Sequence, residues 1–426
     1  MVWDGHTWVL DQDGTRMLEL TGELVAWLFT LEDKVLAARA ANRRRQIIAY
    51  AAGDPRIQAT PDDFDQNRTL LTCPNGTYNL ETNEFRESRP EDMLTSMCRV
   101  AYDSSAECPT WERFLEQALP DEAVRNFMQR WLGYCLTGSV EERKFVVCWG
   151  PAGNNGKSTL FNAMEAVLGD KYAWPAPPEL LMVINSEQHP TMFASLCGKR
   201  LVVTSETRKG RTWDEEKVKR LTGNDAITAR RMHENLWTFR PTHKLMIASN
   251  SKPQVKDISD SFWNRLILVP FLVSFTGDKM DLKLGEKLKA ELPGILNWCI
   301  KGCMLWQKDG LQVPEKATLA AQTYREEEDW MGNVIDQCFV FEAGARLSRK
   351  DAMAKVEAWI KEHAPNLSIN SKTLWERFRL RNLEEVKDRQ GERGWVGVRP
   401  RTAADGNDGK LTASELPSKS ATSSVN

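Results

Sequence analysis

The sequence predicts an α/β fold. A sheet with helices is organised around a phosphate-binding loop, mainly helical chain precedes it, and a helical stretch and a small mixed unit follow. Three observations predict this. Phe145 to Thr159, FVVCWGPAGNNGKST, reads as an apolar strand, a turn rich in Gly and Asn, and a helix start. Further apolar strands end in polar residues and alternate with helical stretches, the pattern of an open α/β sheet with its site at the strands' C-terminal ends. On either side of this core the apolar spacing becomes helical.

The loop residues explain themselves chemically. Glycines let the backbone curl so that its N–H groups converge on phosphate oxygens. The helix N-terminus adds partial positive charge at the same place. A lysine at this position reaches the β and γ phosphates, and the following hydroxyl binds magnesium. The candidate nucleotide-binding residues are Gly150, Gly153, Asn154, Asn155, Gly156, Lys157, Ser158 and Thr159. The usual spacing is G-x-x-x-x-G-K-[ST], yet four intervening residues counted back from Gly156 reach Pro151. Either the loop has one extra residue or Gly150 is not its first glycine. If Gly150 only ends the strand, an alanine there is tolerated, whereas alanine at Gly153 or Gly156 is not.

The chain has 426 residues, 41% apolar and 27% charged, enough for several buried cores in an ordinary soluble protein. Its net charge of −2 gives no global attraction to nucleic acid, so any such contact needs local basic clusters. Nine scattered cysteines without a C-x-x-C pair point to reduced, mostly buried thiols in a cytosolic setting and to no cysteine metal site. The N-terminus lacks a signal-peptide core, and no apolar run reaches membrane-spanning length.

In chain order, VWDGHTWVLDQDG is a small aromatic hairpin candidate with Asp-Gly turns. A helical stretch from about Leu20 to Ala52 carries Arg43, Arg44 and Arg45, read as a solvated face. TLLTCPNGTYNLETNEF is a hairpin around Asn75-Gly76. From Pro109 a helix with Thr110 as N-cap puts Trp111, Phe114, Leu115 and Leu119 on one face. A second helix carries Phe127, Trp131, Leu132 and Cys135. After the loop come a helix over Leu160 to Leu168, a strand over Leu201 to Thr204 ending in Ser205-Glu206, a helix ending near Gly223 and a hairpin-like segment across Arg230 to Phe239. Two further strands follow, Lys244 to Ala248 ending at Asn250, and one after Arg265. Lys279 to Trp330 reads as helical, and residues 335–400 form a unit with two helical stretches and a β-wing, GERGWVGVRP. The Ser/Thr/Ala/Gly-rich end is expected to be disordered.

Hydrolysis of a nucleoside triphosphate needs a carboxylate, a group that positions water and a cation for the transferring phosphate. Glu206, Asn250 and Arg265 stand near strand ends in that order. Together, GPAGNNGKST, GKRLVVTSET, KRLTGNDAITARRMHE, PTHKLMIASN and SFWNRLILVPF resemble the superfamily 3 helicases. The nearest group is the helicase half of phage and plasmid primase-helicases, including the poxvirus-type branch. The resemblance covers roughly residues 60 to 400. It implies an α/β P-loop (AAA+-like) ATPase sheet, preceded by a mainly helical N-terminal domain and followed by a helical segment and a small winged-helix-like domain. The expected divisions are an accessory segment 1–60, a helical domain 61–140, the ATPase core 141–275, a helical segment 276–334, the winged-helix-like domain 335–400 and a disordered tail 401–426.

The resemblance also implies roles. Lys157 and Ser158 bind phosphate and magnesium, Glu206 is the acid of the second motif that activates the water and is a candidate at the metal, Asn250 is the sensor, and Arg265 is an arginine finger supplied to a neighbour. Where many relatives have two acids this chain has Ser205 before Glu206, and where many have two finger arginines it has Asn264 before Arg265. The segment between Glu206 and Asn250 corresponds to the DNA-contacting motif, with Lys217, Lys219, Arg220, Arg230, Arg231 and His233 as candidates and Trp237 nearby. Such cations hold a phosphate backbone without reading sequence. In the C-terminal unit Arg377, Arg379, Arg381 and Arg393 favour duplex or fork binding, while Glu384, Glu385 and Glu392 favour a purely structural role.

The expected function is an ATP- and Mg²⁺-dependent, ring-forming homo-hexameric DNA helicase of a phage, plasmid or other mobile element, acting on single-stranded and forked DNA in replication. It is expected in the cytoplasm of a bacterial host, without a membrane partner. About 60 residues ahead of the matched region are too few for a primase, so primer synthesis is expected on another chain, a possible partner with other replication proteins. The alternatives are an ATP-switched replication initiator or loader with little unwinding, and a defence-system ATPase on the same fold. A small-molecule kinase is disfavoured because no second substrate pocket is evident.

Overall fold

In the computed structural model the described residues are all but 31–33, 56–57, 185–190, 206–210, 233, 257–259, 278–279, 365–368, 388–390, 403–404 and 406–426. They form two compact units. One comprises Met1–Arg208, Trp213–Lys252 and Asn264–Thr318, the other Lys209–Thr212, Pro253–Trp263 and Leu319–Asn426.

The first unit holds the sheet. The strands and helices that build and flank it include, in chain order, α1 (Pro109–Ala118), α2 (Glu122–Tyr134), β1 (Phe145–Trp149), α3 (Lys157–Tyr172), β2 (Ala173–Pro175), β3 (Leu201–Ser205), α4 (Glu215–Leu221), β4 (Ile227–Ala229), β5 (Trp237–Phe239), β6 (Lys244–Ser249), β7 (Leu266–Pro270) and α5 (Leu292–Asp309). The sheet order is β7-β1-β6-β3-β2, with every neighbouring pair parallel. The central strands are buried along nearly their whole length, which is why they read in the sequence as apolar runs. The edge strand β2 is short and was not legible. Upstream, the expected long helix is three pieces, Thr15–Thr30, Lys34–Asn42 and Arg44–Ala52, and the hairpin Leu70–Cys73/Gly76–Asn79 gains a third strand, Glu84–Arg86.

The sheet's core joins the helices through Trp111, Phe114, Phe127, Trp131, Leu160 and Trp298. Thr110 does not cap α1. The backbone N–H groups of Thr110 and Trp111 donate instead to the Glu291 carboxylate at 3.0–3.1 Å, a cap no local sequence signal reveals. Two buried cations bind the strands' N-terminal edge to the end of α2. Arg200 donates to the carbonyls of Leu136 and Leu70 and stacks on Tyr172. Lys244 donates to the carbonyls of Thr137 and, at 3.2 Å, Ser139. Burial pushes the Lys244 ammonium down to about 7. All nine cysteines are free thiols, and Cys197 alone is exposed.

The second unit contains α6 (Trp330–Cys338), β8 (Phe339–Ser348), α7 (Arg349–His363), α8 (Ser371–Leu380), β9 (Glu384–Lys387) and β10 (Arg393–Pro400). The antiparallel order β8-β10-β9 and the helix pair between β8 and β9 make the winged-helix-like arrangement. Phe339, Phe378, Trp375 and Trp395 form its core. The tail begins later than residue 401: Arg401 N–H donates to Cys338 at 2.8 Å, and Arg399 holds Asp405 in a bidentate pair at 2.8–2.9 Å. The remainder of the tail expected to be disordered lies outside the described residues.

Candidate nucleotide site

The loop leaves β1, an interior strand of the sheet, at its C-terminal end. Gly150 follows the strand directly, and its N–H donates to Ser249 at the end of β6 (3.1 Å). The loop therefore has five residues between Gly150 and Gly156, one more than usual. The extra length is pinned by Asn155. This buried side chain directs its NH₂ at the carbonyls of Ala152 (2.8 Å), Phe271 (3.3 Å) and Gly150 (3.4 Å).

The glycines differ in need. A Cβ on Gly150 would stand 2.2 Å from the Asn155 amide and 2.3 Å from the Phe271 carbonyl. Gly156 has φ 87 and a Cβ there would meet Phe114 at 2.9 Å. Gly153 has open space around it. The expectation that alanine is tolerated at Gly150 and not at Gly153 is thus reversed, because the crowding comes from the loop's own Asn155 and from the carbonyl of Phe271, just past β7 and more than a hundred residues away.

Lys157 opens α3 and is only 5% exposed. Its Nζ donates to the Gly150 carbonyl at 3.1 Å and to Asn250 Oδ1 at 2.8 Å. Asn250 follows β6, which pairs with β1 in parallel register. The structure thus brings together the loop lysine and the sensor asparagine named from the sequence. Ser158 is exposed in the first helical turn. A hard divalent cation beside nucleotide phosphates keeps several waters and takes few protein ligands, so one hydroxyl with a nearby carboxylate suits it. Glu206, the carboxylate expected there, lies outside the described residues. It directly follows β3, which pairs with β6.

Arg265 is not at this end of the sheet. It precedes β7, and its carbonyl accepts from Phe145 N–H (2.8 Å) at the start of β1. The register of β7 on β1 sets Arg265 level with Lys144, so the chain rises six residues from its level to Gly150. At about 3.3 Å per residue that is roughly 20 Å, beyond the reach of an arginine side chain. The Arg265 guanidinium donates to Thr222 Oγ1 at 3.0 Å. Burial, then the charge of Arg143, pulls its pKa below the usual value, while Asp225 opposes that shift.

Strands β4 and β5 form an antiparallel hairpin in the register Ala229 to Trp237 and Ile227 to Phe239. Arg230 and Arg231 are exposed in its turn, together with Met232 (72%) and Leu236 (63%), which sequence reasoning did not single out. Arg231 lies over the Trp237 ring at 5.6 Å. His233 is outside the described residues. The α4 cations behave differently. Lys217 is largely buried, bonded to Asp214 (3.0 Å) and to the Met182 carbonyl. Arg220 is exposed over Phe193, and Lys219 lies half-buried on the same helix. In the C-terminal unit three of the four candidate arginines are paired with acids: Arg377 with Asp329, Arg379 with Glu385 and Arg381 with Asp336. The structural role raised for that unit has the better support.

Residues 1–120 match the family described as D5 N terminal like, and residues 148–265 match a family of unknown function (DUF5906). The candidate helicase L207/L206 of Acanthamoeba polyphaga mimivirus is 27% identical over 342 residues, covering 73% of this chain and 35% of the relative. The candidate helicase 022R of Frog virus 3 is 24% identical over 305 residues, covering 67% and 31%. The candidate primase C962R of African swine fever virus is 27% identical over 214 residues, covering 48% and 22%. The chain is thus similar to the D5-type primase-helicases, through the match of residues 1–120 and through these viral relatives. It spans about a third or less of the length of these relatives. The apo structure of the NrS-1 C terminal region is 11% identical with a TM-score of 0.47, covering 74% of this chain and 87% of that one. Among the described residues no helix is long and apolar enough to cross a membrane.

Proposed function

We propose that this chain is an ATP-driven DNA helicase that assembles as a head-to-tail ring, a homo-hexamer, and moves along single-stranded DNA to open forks during replication of a mobile element. The observation that carries this reading is the separation of Arg265 from Lys157 by the length of a strand. A heterologous interface, repeated until it closes, brings the N-terminal edge of one copy's sheet to the loop of the next. Each ATP then has Lys157, the α3 N-terminus and Ser158 with Mg²⁺ from one copy and Arg265 from another. Asn250 orients the attacking water and Glu206 draws its proton. Arg265 adds charge stabilisation on the transferring phosphate, the role of arginine fingers in phosphoryl transfer. The exposed arginines of the β4–β5 hairpin hold the DNA backbone, and Met232 and Leu236 lie against bases.

The test is the ATPase rate with and without single-stranded DNA, run beside a sizing column. The reading expects DNA-stimulated hydrolysis by an assembled species and unwinding of a fork. DNA-independent hydrolysis by a monomer contradicts it.

A further inference from the structure

We propose that Arg143 joins Arg265 in a two-guanidinium site at the N-terminal edge of the sheet, which receives the terminal phosphate of a nucleotide held by a second copy of the chain. The proposal rests on the shared-site reading above and adds a residue to it.

The backbone brings the two arginines together. Phe145 N–H donates to the Arg265 carbonyl at 2.8 Å, and Lys144 Nζ donates to the carbonyl of Asn264, so residues 143–145 and 264–265 run side by side. Arg143 occupies a turn closed by its own N–H to Val140 (3.2 Å), with φ 51, a left-handed backbone uncommon for a residue other than Gly, Asn or Asp. Non-glycine residues held this way cost free energy and concentrate at functional sites. The Arg143 side chain is exposed, and after burial its charge is the second influence that lowers the Arg265 pKa. Asp225 is the acid that acts in the opposite sense on Arg265.

Two guanidiniums carried on neighbouring backbone segments at one edge of the sheet repel each other, and an arriving dianion relieves that repulsion. Planar guanidinium forks suit phosphate oxygens in particular. The chain's own loop is a strand length away, so a phosphate received here belongs to another molecule. A nucleotide phosphate is favoured over a DNA phosphate because Arg265 and Arg143 lie at the strands' N-terminal edge, whereas the cations suited to DNA sit exposed in the β4–β5 turn.

The experiment uses the full chain with Arg143→Asn, Arg143→Lys and Arg265→Ala. Asparagine accepts the left-handed backbone and removes the charge, so folding is preserved. Measured for each are kcat, affinity for a fluorescent ATP analogue, affinity for single-stranded DNA and elution volume. Arg143→Asn is expected to lower kcat at least about 10-fold, as for loss of one charge-stabilising donor, with ATP affinity and assembly unchanged. Arg143→Lys should recover part of the rate. Mixing Arg143→Asn with Lys157→Ala, which carries an intact Arg143, should also restore activity. If Arg265→Ala is inactive while Arg143→Asn keeps the wild-type kcat, Arg143 is excluded and the shared site stands. If Arg265→Ala is itself as active as wild type, the shared-site reading fails, and the role of Arg143 with it. Loss of DNA affinity with kcat unchanged assigns Arg143 to the DNA backbone and overturns the proposal.

Discussion

The ammonium of Lys157 donates to the side-chain carbonyl of Asn250 at 2.8 Å, joining residues that lie 93 positions apart in the chain. The lysine does not project into solvent. It is held by Asn250 and by the Gly150 carbonyl, in the place where a phosphate oxygen would compete for it. The proposed phosphate clamp and the proposed water-positioning group thereby form one linked pair. Lys157→Ala should lower hydrolysis at least about 100-fold, the scale of a missing phosphate clamp. Because this lysine is buried and bonded, the variant should also lose on the order of 1 kcal/mol of stability. A hydrolysis rate near wild type, measured alongside a thermal melt, would contradict the assignment. Asn250→Ala should reduce kcat more than ATP affinity, and the opposite split would argue against its catalytic role.

The loop glycines make a second prediction. Gly150→Ala and Gly156→Ala should each abolish nucleotide binding or destabilise the chain, because neither Cβ has room. Gly153→Ala should bind nucleotide within about threefold of wild type, as its site is open and carries no left-handed backbone. Titration with a fluorescent ATP analogue ranks the three. A Gly153→Ala chain weaker than Gly150→Ala would mean the loop is threaded differently.

A third prediction concerns the hairpin. Arg230→Ala and Arg231→Ala should weaken single-strand binding equally for all sequences. Each lost phosphate contact should flatten the plot of log affinity against log salt by about 0.7. Lys217→Ala should leave that slope unchanged, because its ammonium is already bonded to Asp214 and Met182. A slope altered by Lys217→Ala and unaltered by the two arginine variants would reverse the assignment.

His243 supplies a pH prediction. It is buried beside Lys244, and burial first, then the neighbouring charge, pushes its pKa from 6.5 down to about 3. The imidazole is neutral in the folded chain, whereas the unfolded chain binds a proton below about 6.5. The unfolded state therefore holds more protons between pH 6.5 and 3, and stability falls with pH by up to about 1.4 kcal/mol per unit across that window. Urea unfolding at pH 7.5 and pH 5 should show this fall in the wild type and a smaller one in His243→Leu. Equal falls in both would remove His243 as the cause.

Much of this arrangement was legible because it is local. Three of the central strands are apolar runs, and GNNGKST carries its own turn and helix start. The hairpin followed from β-prone residues flanking a polar turn. What was not legible depends on distant partners. The Glu291 cap on α1, the carbonyl of Phe271 that forbids a Cβ on Gly150, and the burial of Arg200 and Lys244 against the end of α2 leave no mark in their own neighbourhoods. Charged residues read as solvated by default, so buried cations that satisfy helix-end carbonyls are missed. The same default made the C-terminal arginines look available, although three of the four are paired with acids.

The central claim is that one ATP site is built from two copies, and mixing tests it most directly. Lys157→Ala and Arg265→Ala chains, each inactive alone, are co-assembled in equal amounts, and co-purification of two tags verifies that mixed assemblies form. In a random head-to-tail ring roughly a quarter of interfaces pair an intact Lys157 with an intact Arg265. The account predicts that DNA-stimulated ATPase activity returns on mixing. Verified mixed assemblies with no recovered hydrolysis would contradict it.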